Sequence, residues 1–174
     1  MSDFLIEISE QTRQRVEVQK RSVSADQLKQ YVKTGDPHRS LEKALHHKGS
    51  VAVIAELKQA SPSAGVIRKE RDIAGRIQAY ERGGAAALSI LTEENFFHGS
   101  PHLLEEARSL TRLPVLRKDF IIDPYQILES KTLGADAILL ITGLLPGTLL
   151  REFIIHRNKW RRQMQRLNPQ AFWP

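Results

Sequence analysis

Glu56 and Lys58 stand two residues apart at the end of an apolar run, residues 51–57, and Lys118 stands near the end of another, residues 114–119. Side chains alternate faces along a strand. Glu56 and Lys58 therefore share a face with Ala52 and Ile54, and Lys118 shares one with Leu116 and Phe120. One carboxylate and two ammonium groups converging on a common mouth form a donor and acceptor set for general acid and base chemistry. The same spacing also fits solvated strand ends or a simple ion pair. After Lys58 comes Gln-Ala-Ser-Pro-Ser-Ala-Gly, whose small residues, with Ser61, Ser63 and Gly65, let backbone N–H groups approach an oxyanion. It lacks the Gly-Lys-Ser/Thr of a Walker loop, and a plain structural loop fits it equally. The chain has no Cys, which excludes a cysteine nucleophile, a thiolate metal site and a disulfide framework.

The elements that must hold these residues follow from periodicity. In the first fifty residues Phe4, Leu5, Ile8 and Thr12 recur at helical spacing, Ser24 and Gln27 form a capping box, and Ser40 caps a short third helix. Residues 1–50 are thus expected to be a helical extension. From Val51 short apolar runs alternate with amphipathic segments: runs at 51–57, 86–91, 114–119 and 135–141, with helices opened by Asp72, Ser100-Pro101 and Asp123-Pro124. Strand, helix, strand, helix implies βαβ units and a parallel sheet buried on both faces. The two architectures that fit are an open doubly wound sheet and part of a (β/α)8 barrel. No G-x-G-x-x-G follows the first run, and polar residues gather at the strands' C-terminal ends, where barrel enzymes keep their chemistry.

Three segments carry a resemblance. Ile54-Ala-Glu-Leu-Lys-Gln-Ala-Ser-Pro-Ser-Ala-Gly65, Leu88-Ser-Ile-Leu-Thr-Glu93 with Phe97-His-Gly-Ser100, and Leu113-Pro-Val-Leu-Arg-Lys-Asp-Phe-Ile-Ile-Asp-Pro-Tyr-Gln126 together resemble the indole-3-glycerol phosphate synthase family. The resemblance implies an α/β fold, a partial (β/α)8 TIM barrel made of the first four βα units over residues 51–154. It also implies a decarboxylating ring closure of 1-(2-carboxyphenylamino)-1-deoxyribulose 5-phosphate to indole-3-glycerol phosphate, with no metal and no organic cofactor. Carried over by motif, Lys118 is the general acid and Glu56 and Lys58 are the acid/base and anion-handling pair. Ser61 is a substrate-binding hydroxyl, and Leu91, Phe97 and Phe120 form the apolar wall against the substrate's aromatic ring. His98 departs from the small residue common in the family and is read as a surface loop residue with no role.

The resemblance runs to about Ile154. Residues 155–174 are read as an atypical tail, with five basic residues and no acid from His156 on, which leaves a net charge of +1 for residues 1–155 out of +6. An altered reading frame would account for it. Strands five to eight and the family's remaining catalytic groups are not in the sequence. The expectation is a half barrel with unpaired outer strands, largely inactive alone, that pairs with itself or is complemented by a C-terminal half. A second reading makes the chain a non-catalytic fragment whose basic, Trp-containing tail binds nucleic acid or an acidic partner, but no nucleic-acid motif is present. A third changes the substrate to another phosphorylated metabolite; the paired Glu-Leu-Lys-Gln-Ala-Ser-Pro-Ser and Arg-Lys-Asp-Phe motifs speak against it. The N-terminus lacks the basic flank and apolar core of a secretory signal, and the most apolar stretch is broken by Asp136, Gly143, Pro146 and Gly147. These features predict a soluble, cytoplasmic chain with no membrane partner.

Overall fold

The structure, a computed structural model, describes residues 3–32, 38–46, 51–58, 60–61, 65–66 and 72–155. The basic tail from His156 onward and Ser63 lie outside the described residues. In chain order the elements are α1 (Asp3–Ser22), α2 (Ala25–Tyr31), α3 (Leu41–Leu45), β1 (Ile54–Leu57), β2 (Ala60–Ser61), β3 (Gly65–Val66), α4 (Ile73–Arg82), β4 (Ala87–Leu91), α5 (Pro101–Leu110), β5 (Val115–Lys118), α6 (Pro124–Thr132) and β6 (Ala137–Ile138). Residues 147–155 are also helical, where the fourth βα unit of the expected half barrel calls for its helix. No helix among the described residues is long and apolar enough to cross a membrane.

The helix starts follow local chemistry. Ser24 and Gln27 form the reciprocal capping box, and the side chains of Ser40, Asp72 and Ser100 accept from the first-turn amides of α3, α4 and α5. Asp123 Oδ1 does the same for the Tyr125 amide at the start of α6 (2.8 Å). Each cap satisfies amides that have no partner within their own helix.

The chain divides into two compact units. The first comprises Met1–Pro37, Phe120–Thr132 and Leu139–Pro174. In it Ile8, Thr12 and Val16 make the buried stripe of α1, while Phe4 is left 37% exposed. Val16, Leu28 and Val32 pack with Tyr125 and Leu128 of α6, and the Tyr125 hydroxyl donates to the Val23 carbonyl (2.9 Å). Lys20 bonds Asp123 (2.7 Å) and Glu17 (2.9 Å), and these carboxylates hold its ammonium above the usual lysine range.

The second unit, His38–Asp119 and Leu133–Ile138, contains the parallel sheet β1-β4-β5-β6. Neighbours in the sheet are consecutive βα strands, and one face packs Leu57, Leu88, Ile90 and Val115 against Ile77 of α4 and Leu103, Leu104 and Ala107 of α5. Two successive crossover helices on one face, with strands added in sequence order, is barrel winding; a doubly wound sheet reverses its order and covers both faces. The pairing narrows the expected strands. β1 begins at Ile54, and Val51 is 91% exposed, because its one neighbour in the sheet, β4, takes it up only from Val53, whose carbonyl accepts from the Ala86 amide. The run at 135–141 contributes two residues, Ala137 and Ile138, opposite Leu116 and Arg117.

At the N-terminal ends of β5 and β6 the side chain of Asp136 is 2% exposed. Its Oδ1 accepts from the Arg39 amide (2.8 Å), and Oδ2 accepts from the Val115 amide (2.9 Å) and from Arg108 Nη1 (2.7 Å). His38 Nδ1 lies 3.5 Å from Oδ1. Gly134, at φ +86°, leaves room for the Arg108 stem, 3.0 Å from where a Cβ would sit. Burial pushes the Asp136 carboxyl above its ordinary range, against the opposite pull of the Arg39 and Val115 amides and the Arg108 and Arg39 guanidiniums. A carboxyl that binds its proton more tightly when folded favours the folded state at low pH. That contribution is lost as pH rises from the ordinary carboxyl range through the raised value. Asp136→Asn abolishes this dependence. The stability of the native chain minus that of the variant is therefore expected to grow as pH is lowered from about 7 to about 4, measured by urea unfolding; a difference constant across that range contradicts the assignment.

Candidate active site

Glu56 on β1 and Lys118 on β5 meet across the strand between them. Lys118 Nζ donates to Glu56 Oε2 at 2.7 Å, and the Ser89 hydroxyl of β4 donates to the same oxygen at 3.2 Å. The register explains the meeting: Glu56, Ser89 and Leu116 lie side by side on one face, and Lys118 is the next residue up that face, opposite Leu91. A small side chain at position 89 leaves the two long ones room to touch over β4. The Tyr80 hydroxyl of α4 donates to the Glu56 carbonyl (3.0 Å) and fixes the end of β1. The pair stays partly wet, with side chains 40% and 30% exposed. An ion pair of that exposure adds little stability. What it does provide is a proton donor and acceptor held in contact at the C-terminal end of a parallel sheet.

Lys58 is placed differently. It follows β1 directly, and its Nζ sits 5.4 Å from the centre of the Phe97 ring, a cation–π contact. Phe97 rides on the turn after β4, which is built on Glu93. This 4%-exposed carboxylate accepts from three consecutive amides, Asn95 on Oε1 (2.9 Å) and Phe96 and Phe97 on Oε2 (2.8 and 3.0 Å). Its own carbonyl accepts from the Gly99 amide (2.7 Å). Gly99 is required here, since a Cβ would lie 2.4 Å from the Leu91 carbonyl oxygen. His98 is exposed at φ +51°, a conformation that glycine adopts without cost.

Leu91 closes β4, 3% exposed, on the face of Ser89. Ser61 pairs through its backbone with Gly65 in the short β2–β3 ladder; its side chain lies outside the described residues. Phe120 follows β5 two residues after its last position, Lys118, and its carbonyl accepts from Gln126 Nε2 (3.0 Å). Of the residues expected at the site, the structure joins Glu56 with Lys118 and Lys58 with Phe97. Sequence reasoning missed Ser89, Tyr80 and Glu93; a small polar residue midway between two charged strand ends was the available signal for Ser89. Among the described residues no group of three or more Asp, Glu or His side chains is placed to hold a metal ion.

A family model described as indole-3-glycerol phosphate synthase matches residues 5–165, eleven residues past Ile154, where the resemblance was expected to stop. Curated proteins of that name are similar to this chain. The Carboxydothermus hydrogenoformans protein is 47% identical over 157 residues, covering 87% of this chain and 60% of the relative. The Burkholderia multivorans protein is 47% identical over 154 residues (87% and 59%), and that of Neisseria meningitidis serogroup B is 44% identical over 156 residues (88% and 60%). The chain spans about 60% of the length of these relatives.

Proposed function

The chain belongs to the indole-3-glycerol phosphate synthase family, and on that premise we propose that residues 51–154 carry the first half of a synthase active site, the rest of which a complementary half barrel supplies. The substrate of this reading is 1-(2-carboxyphenylamino)-1-deoxyribulose 5-phosphate. A carbon–carbon bond forms between its ring and its ketone carbon, CO₂ and water leave, and indole-3-glycerol phosphate results. The observation that carries the reading is the Lys118–Glu56 contact at the strands' C-terminal ends.

Each role has a physical reason. Ring closure places negative charge on the ketone oxygen, and Lys118 is the ammonium that protonates it. Glu56, in contact with Lys118 and Ser89, takes part in proton movement during dehydration. Lys58 neutralises a substrate anion while its stem lies along Phe97, so charge and aromatic surface come from one spot. Leu91, Phe97 and Phe120 wall the substrate's aromatic ring, and Ser61 donates a hydroxyl. These steps are acid/base and electrostatic chemistry of side chains and call on no cofactor. On this reading the protein acts in the cytoplasm.

A barrel of this type closes with eight strands, and the described residues contribute four to the parallel sheet. The test mixes the 174-residue chain with the part of the Carboxydothermus hydrogenoformans relative that lies beyond the match, and follows product by absorbance and mass. The chain alone is expected to form no product and the mixture to form it. A mixture that assembles a folded complex yet makes none overturns the reading.

A further inference from the structure

On the far side of β5 from Lys118 lies a polar ring that the proposed chemistry does not use. Arg117 Nε donates to Thr92 Oγ1 (3.0 Å), Thr92 Oγ1 donates to Asp119 Oδ2 (2.8 Å), and Arg117 Nη2 bonds the same Asp119 oxygen (2.8 Å). All three are buried, at 0% exposure for Thr92, 1% for Arg117 and 2% for Asp119. The main chain repeats the link, since the Thr92 amide donates to the carbonyl of Lys118 itself (3.1 Å).

Burying a guanidinium and a carboxylate is a poor way to gain stability, because desolvation offsets most of their attraction. The placement is more telling. Arg117 and Asp119 are the residues on either side of Lys118, and Thr92 is the first residue after β4, whose last residue, Leu91, sits opposite Lys118. The register of β4 with β5 ends at Lys118, and past it the Thr92 amide bond to the Lys118 carbonyl and the side-chain ring tie this end of β5 to the end of β4.

We infer that the Arg117–Thr92–Asp119 ring positions Lys118: it clamps the backbone on both sides of that residue to the end of β4 and so fixes the direction in which the ammonium leaves the sheet toward Glu56. These are positioning residues, since none of them touches Lys118's amine. The inference rests on the proposed role of Lys118 for its importance, but its test does not.

The test reads Lys118 directly. The 174-residue chain is trace-labelled with acetic anhydride, and the rate at Lys118 is measured by mass spectrometry relative to Lys58 in the same molecule. Glu56→Gln gives the rate of a Lys118 freed from its carboxylate. Thr92→Val, which removes the hydroxyl at nearly constant volume, is expected to raise the Lys118 to Lys58 ratio about fivefold, the equilibrium weight of one net hydrogen bond. Thr92→Ser, which keeps the hydroxyl, restores the native ratio. A general loosening of the fold would raise both lysines together. If Thr92→Val does not fold, Asp119→Asn is read in the same way. An unchanged ratio in a folded variant overturns the inference. The second readout is a full-length chimaera in which residues 51–154 replace the matching segment of the Carboxydothermus hydrogenoformans relative: Thr92→Val there lowers kcat and leaves KM unchanged. A ratio that rises in a chimaera with no synthase activity upholds the clamp and removes the proposed function instead.

Discussion

Lys118→Met in the full-length chimaera is expected to lower kcat about a thousandfold, the middle of the range for loss of a general acid, with little change in KM. The ammonium acts when the ketone oxygen gains charge, so its removal weakens the transition state and spares the ground state. The same substitution barely affects folding. Lys118 and Glu56 are 40% and 30% exposed, and a pair so open to water contributes at most about 1 kcal/mol. Urea unfolding of the variant should therefore overlay that of the parent within that margin. A thousandfold loss without unfolding is the signature of chemistry. A variant that loses kcat only in proportion to its loss of folded protein would assign Lys118 to structure, and one that raises KM alone would make it an anion-binding group.

Arg117→Met reverses the pattern. Asp119, with a side chain at 0% exposure beside Arg117 at 1%, would keep its carboxylate in the interior without the guanidinium that faces it. Breaking a buried pair on one side costs about 3–5 kcal/mol, a large part of the stability of a domain this size. The midpoint of urea unfolding should fall accordingly with the slope unchanged. Changing both members, Arg117→Met with Asp119→Leu, should recover most of the loss, because matched apolar groups replace a buried pair at little net cost. The double variant separates two roles of the ring. Stability returns, while Lys118 still labels faster than in the native chain. An Arg117→Met variant within about 1 kcal/mol of native would mean that Asp119 is not buried as described.

What the sequence disclosed and what it concealed divides along the range of the interactions. Helix starts were legible because their causes lie within four residues: the Ser24–Gln27 box and the caps at Ser40, Asp72 and Ser100 all formed as expected. Strand existence was legible from apolar runs. Strand ends were not, because a strand lasts only as long as its neighbour. Val51 and Val53 are as β-prone as any residue in β1, yet stand 91% and 54% exposed below the point where pairing begins.

Among the site residues, the Glu56–Lys118 meeting followed from two strand ends bearing opposite charges. The residues that hold the arrangement were hidden by their type. The pattern did not single out Arg117, Asp119 and Glu93, because burial of charged groups is rare. One signal was present: Arg117 and Asp119 alternate out of phase with Lys118, which points them toward the face that carries the helices. Asp136 was likewise read only as a polar break in an apolar stretch, since its partners Arg39, Arg108 and Val115 come from three distant segments. The association of Tyr125 and Leu128 with the first two helices also spans about a hundred residues and leaves no local trace.

The most direct measurement is the steady-state formation of indole-3-glycerol phosphate by the full-length chimaera carrying residues 51–154. If Glu56, Lys58 and Lys118 of this chain form a working half of the site, the chimaera turns over within about tenfold of the parent relative, the tolerance of about 1.4 kcal/mol in transition-state energy. A chimaera that folds and binds the substrate but yields no product contradicts the account.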